Sequence, residues 1–413
     1  MFRDPLSLRY PPPEKIASLR ETYSDEEGLM ITKTVQYKPA SGWLVNLDEL
    51  SDMDSSDTVI LVFGAPSFKA EAEVFLDLKR RFPKSIAFGC STSGEIFSSH
   101  MSDDSLSLAI MKFKTTKIRS ACVKIENMMQ SFEVGSQIIN ELDKEDLRAV
   151  FVLSDGLLVN GSELLRGMNE VGHEKIITGG MAGDGLRFKE TWVLKDGIPA
   201  NGYVAALAFY GDDIRVGHGS MGGWNRFGPE RVITKSKGNV VYEVDGRPAL
   251  QLYKEYLGDR AAGLPATALL FPMQIFSQER SSDKLVRSVL AVDESNQSMN
   301  FAGDVPEGSH AQLMLANLNN LVEGASDAAR KITDLPGSHS PSLTIAVSCF
   351  GRRLVLGERL DEELEAALDQ LPADTKMVGF YSYGEFSPAG FTKKCELHNQ
   401  TMTLTVISEV ATG

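Results

Sequence analysis

Three segments of this chain run from one glycine, through a few residues, to a second glycine followed directly by an acidic side chain. Gly89-Cys90-Ser91-Thr92-Ser93-Gly94-Glu95 and Gly379-Phe380-Tyr381-Ser382-Tyr383-Gly384-Glu385 both read G-x-x-x-x-G-E, and Thr178-Gly179-Gly180-Met181-Ala182-Gly183-Asp184 ends in the same glycine–acid step. Glycine tolerates positive φ and lets a backbone approach a ligand closely. A phosphate-cradling loop would need Lys and then Ser or Thr after the second glycine. A carboxylate there repels phosphate, so nucleotide binding is excluded at these turns. An inward carboxylate suits a cation or a donor-rich group such as an amine. The structural alternative is that each acid accepts hydrogen bonds from the amides of its own turn.

Two enzyme motifs are approached and missed. A nucleophile elbow is G-x-S-x-G after a strand, and Gly89 to Gly94 around Ser91 holds one residue too many. Gly217-His218-Gly219-Ser220-Met221-Gly222 matches G-x-G-x-x-G. The Gly223-Trp224-Asn225-Arg226-Phe227-Gly228-Pro229 that follows cannot open a helix, so no pyrophosphate site forms. The six histidines are dispersed. Cys395-x-x-His398 is half of a zinc pattern without a second half. His398, just before the last strand, is the histidine of most interest, either as a ligand or as a side chain satisfied by backbone. Asp245-Gly246-Arg247-Pro248 reads as a turn into a helix; Arg247 suits a bound carboxylate or a structural ion pair.

The glycine turns sit in repeated units. Thr58–Phe63 reads as a buried strand, Lys69–Phe82 as a helix with Val74, Phe75, Leu78 and Phe82 on one face, and a strand, the turn and Leu106–Phe113 follow. In the second unit Ala149–Leu153 is a strand, Ser162 caps a helix, and a strand and turn lead to Tyr203–Tyr210. The third has Leu343–Cys349, a helix over Leu360–Leu371 with Asp361, Glu362 and Glu363 in its dipole-favoured first turn, then the turn and Thr401–Ile407. Between the second and third units, Ser309–Ile332 reads as a helix carrying Leu313, Leu315, Leu318 and Leu321. Such units predict an α/β fold of mixed sheets in two halves. A polar run at Thr234–Asn239 suggests a boundary near residue 235. The expected organisation is a tail over 1–30, a first domain over 31–235 and a second over 236–410.

Composition narrows the function. The chain has 413 residues and a net charge of −14, which opposes nucleic-acid binding, since phosphate contacts need a basic stripe. Its apolar runs are too short to span a bilayer, and the opening residues lack the apolar core of a signal peptide. Four scattered cysteines make no disulfide framework. A soluble, cytoplasmic protein is the expectation.

GCSTSGEI at 89–96, VDGRPAL at 244–250 with YLG at 256–258, FAGDVPEGS at 301–309, and GFYSYGEFSP with CELHNQTMT at 379–403 together resemble the FIST sensory domain, over about residues 40 to 408. The resemblance implies a cytoplasmic ligand-sensing module of bacterial signal transduction that binds a small molecule such as an amino acid; the strand-end turns suggest a non-catalytic sensor holding that ligand between its halves. With no effector segment attached, the signal is expected to pass to a partner such as a histidine kinase. It carries Gly89, Ser91, Ser93, Gly94, Glu95, Asp245, Gly246, Arg247, Pro248, Tyr381, Tyr383, Gly384, Glu385, His398 and Asn399 into the candidate site, and Asp184 joins them as the acid of the middle turn. A subset of similar proteins binds haem and senses nitric oxide. His398 is then the candidate axial ligand, and its only metal role is in that case. A third reading is an enzyme with Cys90 or Ser91 as nucleophile and His398 as base.

Overall fold

The computed structural model describes residues 30–172, 175–277, 280–332, 342–389 and 394–410. The expected tail over 1–30 falls outside them except for Met30.

Each unit contains one parallel strand pair joined by a helical crossover: Thr58–Gly64 with Ile86–Ser91, Leu147–Ser154 with Ile176–Met181, and Ser342–Cys349 with Lys376–Ser382. The crossovers contain the helices Glu73–Arg81, Gly161–Val171 and Leu360–Leu368. An antiparallel strand from later in the chain extends each pair on the other side, giving three mixed sheets. The first strands alternate between two cores with the two-residue period of a strand. Val59, Leu61 and Phe63 join Ala149, Phe151, Leu153, Leu343, Ile345 and Val347 in one central core shared by all three sheets. Ile60 and Val62 turn to the helix side of the first sheet, and Val150 and Val152 to that of the second. Aromatic pairs bridge the sheets through this centre: Phe63 stacks on Phe380 at 4.8 Å, and Phe88 meets Phe151 edge-on at 6.3 Å.

The segment after each glycine turn leaves its own sheet and pairs elsewhere. Glu95–Phe97 adds to Lys376–Ser382 of the third sheet. Gly384–Pro388 adds to Ile176–Met181 of the second, and Val193–Lys195 adds to Ile86–Ser91 of the first. The exchange closes in a ring.

Several details differ from the sequence reading. The third unit starts at Ile214–Met221, the G-x-G-x-x-G segment, which pairs with the last strand Met402–Glu409. A further β layer is inserted after it, holding Asn225–Lys237, Val240–Val244, Met273–Ser277, Val289–Asp293, Ser298–Phe301 and His310–Leu315 around its own core with helix Ala249–Leu257. A cut at residue 235 therefore falls inside strand Asn225–Lys237. Ser309–Ile332 is a strand, His310–Leu315, followed by helix Leu318–Arg330 capped by Asn317; the leucine at every second position, 313 and 315, belongs to the strand. The cap of Gly161–Val171 is Asn160, whose side chain accepts from the amides of Ser162 and Glu163.

Candidate functional site

The three glycine turns meet. The Ser93 amide donates to the Tyr381 carbonyl at 2.8 Å, the Tyr381 amide to Gly94 at 2.9 Å, and the Gly183 amide to Ser91 at 3.0 Å. Their first glycines share one cause. A Cβ at Gly89, Gly179 or Gly379 would stand 1.9 Å from the carbonyl oxygen of Val62, Val152 or Ala346 on the neighbouring parallel strand. Their close approach is to a strand.

The three acids face inward but are consumed locally. Glu95 is buried; it accepts from the Thr92 hydroxyl, and from the amide and hydroxyl of Ser105 at 2.9 Å. Glu385 accepts from Ser382 at 2.7 Å and from the hydroxyl and amide of Thr401 at 2.9 and 3.2 Å. Burial pushes both carboxyls up to about 8, against the pull of those donors, because a charge in an apolar interior loses its hydration. Asp184 takes the amides of Phe188, Lys189 and Glu190 at 2.9, 2.8 and 3.0 Å, and the Tyr383 hydroxyl. Burial would raise it, but these donors together outweigh that and hold it below the usual range. Ser91 is spent on the backbone of Trp192, Ser93 takes the Gly185 amide at 3.0 Å, and Tyr381 donates to Glu363 at 2.9 Å. These side chains fasten the turns to one another.

Asp245 and Arg247 lie elsewhere, on the inserted layer. Asp245 holds the Val232 amide and Arg231 at 2.8 and 2.9 Å, and exposed Arg247 pairs with Glu255 at 2.5 Å. His398 is buried with Nε2 3.0 Å from the Ser387 carbonyl oxygen; burial lowers it to about 4. Asn399 is buried beside it, and neither polar atom of its side-chain amide has a hydrogen-bonding partner among the described residues.

Tyr383 faces open space. It lines a cavity of about 460 Å³ between the strand-end loops of the core and the inserted layer. The core contributes Gly156, Leu157 and Asn160 after strand Leu147–Ser154, Met181 and Phe188 from the middle turn region, and Cys349, Phe350 and Gly351 after strand Ser342–Cys349; the layer contributes Leu264, Leu290, Phe301 and Ala302 among others. Phe188 stacks on Tyr383 at 4.9 Å. The layer is clamped to the second unit next to this space. Buried Arg287 donates to the Leu397 and Asp304 carbonyls at 2.7 and 3.2 Å, and Asn160 donates to Asp304 at 3.1 Å. Of the cavity's walls, the sequence reading reached Tyr383. The loop SDGLLVNG and the segment beginning Phe301-Ala302-Gly303 stood out as loop and motif, but only the fold shows them facing each other.

Among the described residues, no cluster of three His, Cys, Asp or Glu could hold a metal ion, and no helix is long and apolar enough to cross a membrane. The fold is an α/β ring of exchanged units whose strand-end turns meet beside a cavity. The sequence matches the FIST N domain over residues 58–247 and the FIST C domain over 249–388, and the chain belongs to the FIST domain family, whose members are sensory domains of signal transduction. Uncharacterized protein MJ1623 of Methanocaldococcus jannaschii is 25% identical over 366 residues, 76% of this chain and 66% of that protein, so the match spans just under two thirds of the relative. The crystal structure of a cyanuric acid hydrolase from A. caulinodans superposes with a TM-score of 0.39 at 8% identity, covering 93% of this chain and 100% of that one.

Proposed function

We propose that this chain is a non-catalytic sensor that binds a small molecule in the cavity between its core turns and its inserted layer, and signals to a partner protein such as a histidine kinase. The observation that carries the reading is the cavity's double wall. Residues of the FIST N match, such as Leu157 and Met181, face residues of the FIST C match, such as Leu290 and Tyr383, across about 460 Å³, a volume in the range of small-molecule sites. A ligand there contacts both sides at once. Its binding energy therefore biases how the layer seats on the core, and a partner touching both reads the bias.

The haem reading finds less support. His398 does not line this cavity, and its Nε2 already meets a carbonyl oxygen, so the residues present do not fit an axial histidine. The nucleophile reading fares similarly. Burial raises the Cys90 thiol well above its ordinary range, Ser91 Oγ accepts the Trp192 amide at 3.0 Å, and neither has His398 as its partner. The test is a thermal-unfolding screen of the full chain against a broad metabolite panel. A ligand selective for the native state must raise the midpoint, and a panel that leaves it unmoved throughout refutes the proposal.

A further inference from the structure

We infer that the ligand of this cavity is an uncharged, largely apolar molecule carrying a ring, and not a free amino acid; the inference rests on the sensor reading above. Among the described residues, none that lines the cavity is Asp, Glu, Lys, Arg or His. A zwitterion placed there would give up the hydration of two charges without a charged partner for either.

At one helix start in the wall, backbone amides that could replace a cation are also taken. At the start of helix Gly161–Val171, Asn160 Oδ1 accepts from Ser162 and Glu163 at 3.0 and 3.2 Å. The polar side chains in the wall have mostly spent their donors. Ser382 donates to Glu385 at 2.7 Å, Tyr383 to Asp184 and the Gly185 carbonyl, and Asn239 to the Phe301 carbonyl at 2.8 Å. What is left is sparse and neutral. Ser288 Oγ accepts from Gln400 at 2.9 Å and keeps its hydroxyl hydrogen, and Asn239 keeps its amide oxygen. A few neutral donors and acceptors in an apolar, aromatic wall suit a ring bearing an amide, phenol or N–H group. The rim points the same way: Met128, Leu186, Phe188 and Leu290 line the cavity while 54%, 70%, 51% and 49% exposed.

The experiment measures binding of indole and benzamide against L-tryptophan and L-phenylalanine by calorimetry and thermal midpoint, in wild type and in Ala302→Trp, which fills the cavity. The expected result is that the neutral rings bind, the amino acids do not, and A302W weakens the rings about tenfold or more. If the amino acids bind the wild type as tightly as the rings and A302W abolishes this, the cavity sensor stands and the neutrality inference is overturned. If none of the four binds and the broad screen also fails, the sensor reading itself falls. Rings that bind A302W unchanged sit elsewhere, which overturns the inference. Should A302W not fold, Leu290→Arg at the exposed rim replaces it: indole is expected to lose affinity and tryptophan to gain it, and the reverse order overturns the inference.

Discussion

Glu95 and Glu385 should make the protein less stable as the pH rises, and glutamine should remove the effect. Each carboxyl titrates at about 8 in the fold against an ordinary 4.5, with burial as the cause. The folded value is the higher one. Stability from the protonated form is therefore complete below about 4.5, erodes as the open chain ionises and the fold does not, and is gone once the pH passes about 8. At about 1.4 kcal/mol per pH unit the loss is about 5 kcal/mol per site, and still about 3 kcal/mol if the folded value lies a unit lower. Glutamine reproduces the protonated acid. In Glu95→Gln the side-chain oxygen keeps both Ser105 donors, and the amide nitrogen takes the place of the oxygen at Thr92, whose hydroxyl turns to accept from it. In Glu385→Gln the oxygen keeps the Thr401 pair. Urea denaturation of wild type, E95Q and E385Q at pH 5 and pH 9 reads this directly. The variants should match wild type within about 1 kcal/mol at pH 5 and exceed it by about 3–5 kcal/mol at pH 9. A wild-type-to-variant difference that does not change with pH refutes buried, protonated acids at these turns.

Two further outcomes test the frame around the site. His398 has the opposite sign: its folded value is depressed to about 4 from 6.5, so its stabilisation is present above 6.5 and lost as the pH falls toward 4, about 3 kcal/mol in all. His398→Gln, which keeps a donor toward the Ser387 carbonyl, should flatten the acid limb of the stability profile, and an unchanged acid limb counts against the burial argument. Gly89→Ala and Gly379→Ala each force a methyl to within 1.9 Å of a carbonyl oxygen. Each should cost about 4 kcal/mol or more by denaturant midpoint, and a loss under about 1 kcal/mol would show that the parallel strands can separate there.

The repeated units were legible because their strands are short apolar runs bounded by glycine or proline. Thr58–Gly64 and Ser342–Cys349 lie within a residue or two of where their sequence places them. The inserted layer was not legible. Its strands are weakly patterned, and Leu313 and Leu315 sit close enough to Leu318 and Leu321 to mimic one helical face. At the candidate site, the glycine–acid spacing correctly marked three equivalent turns. It could not say which neighbour the glycines approach, because a ligand and a paired strand impose the same steric demand. Tyr383 was found through its motif. Phe188 and Leu290 carry no local signal, since their role depends on segments about 100 residues apart meeting at one cavity.

The ring of borrowed strands decides which part of this protein can move. Severing the chain between the two family domains, after residue 247, would leave Ile176–Met181 with a bare edge where Gly384–Pro388 now lies, and would strand Glu95–Phe97 without its host, Lys376–Ser382. The N- and C-terminal domains are therefore woven into one body and cannot swing apart like jaws. A response to a bound molecule is therefore expected in the appended β layer, which Arg287 and Asn160 fasten beside the cavity.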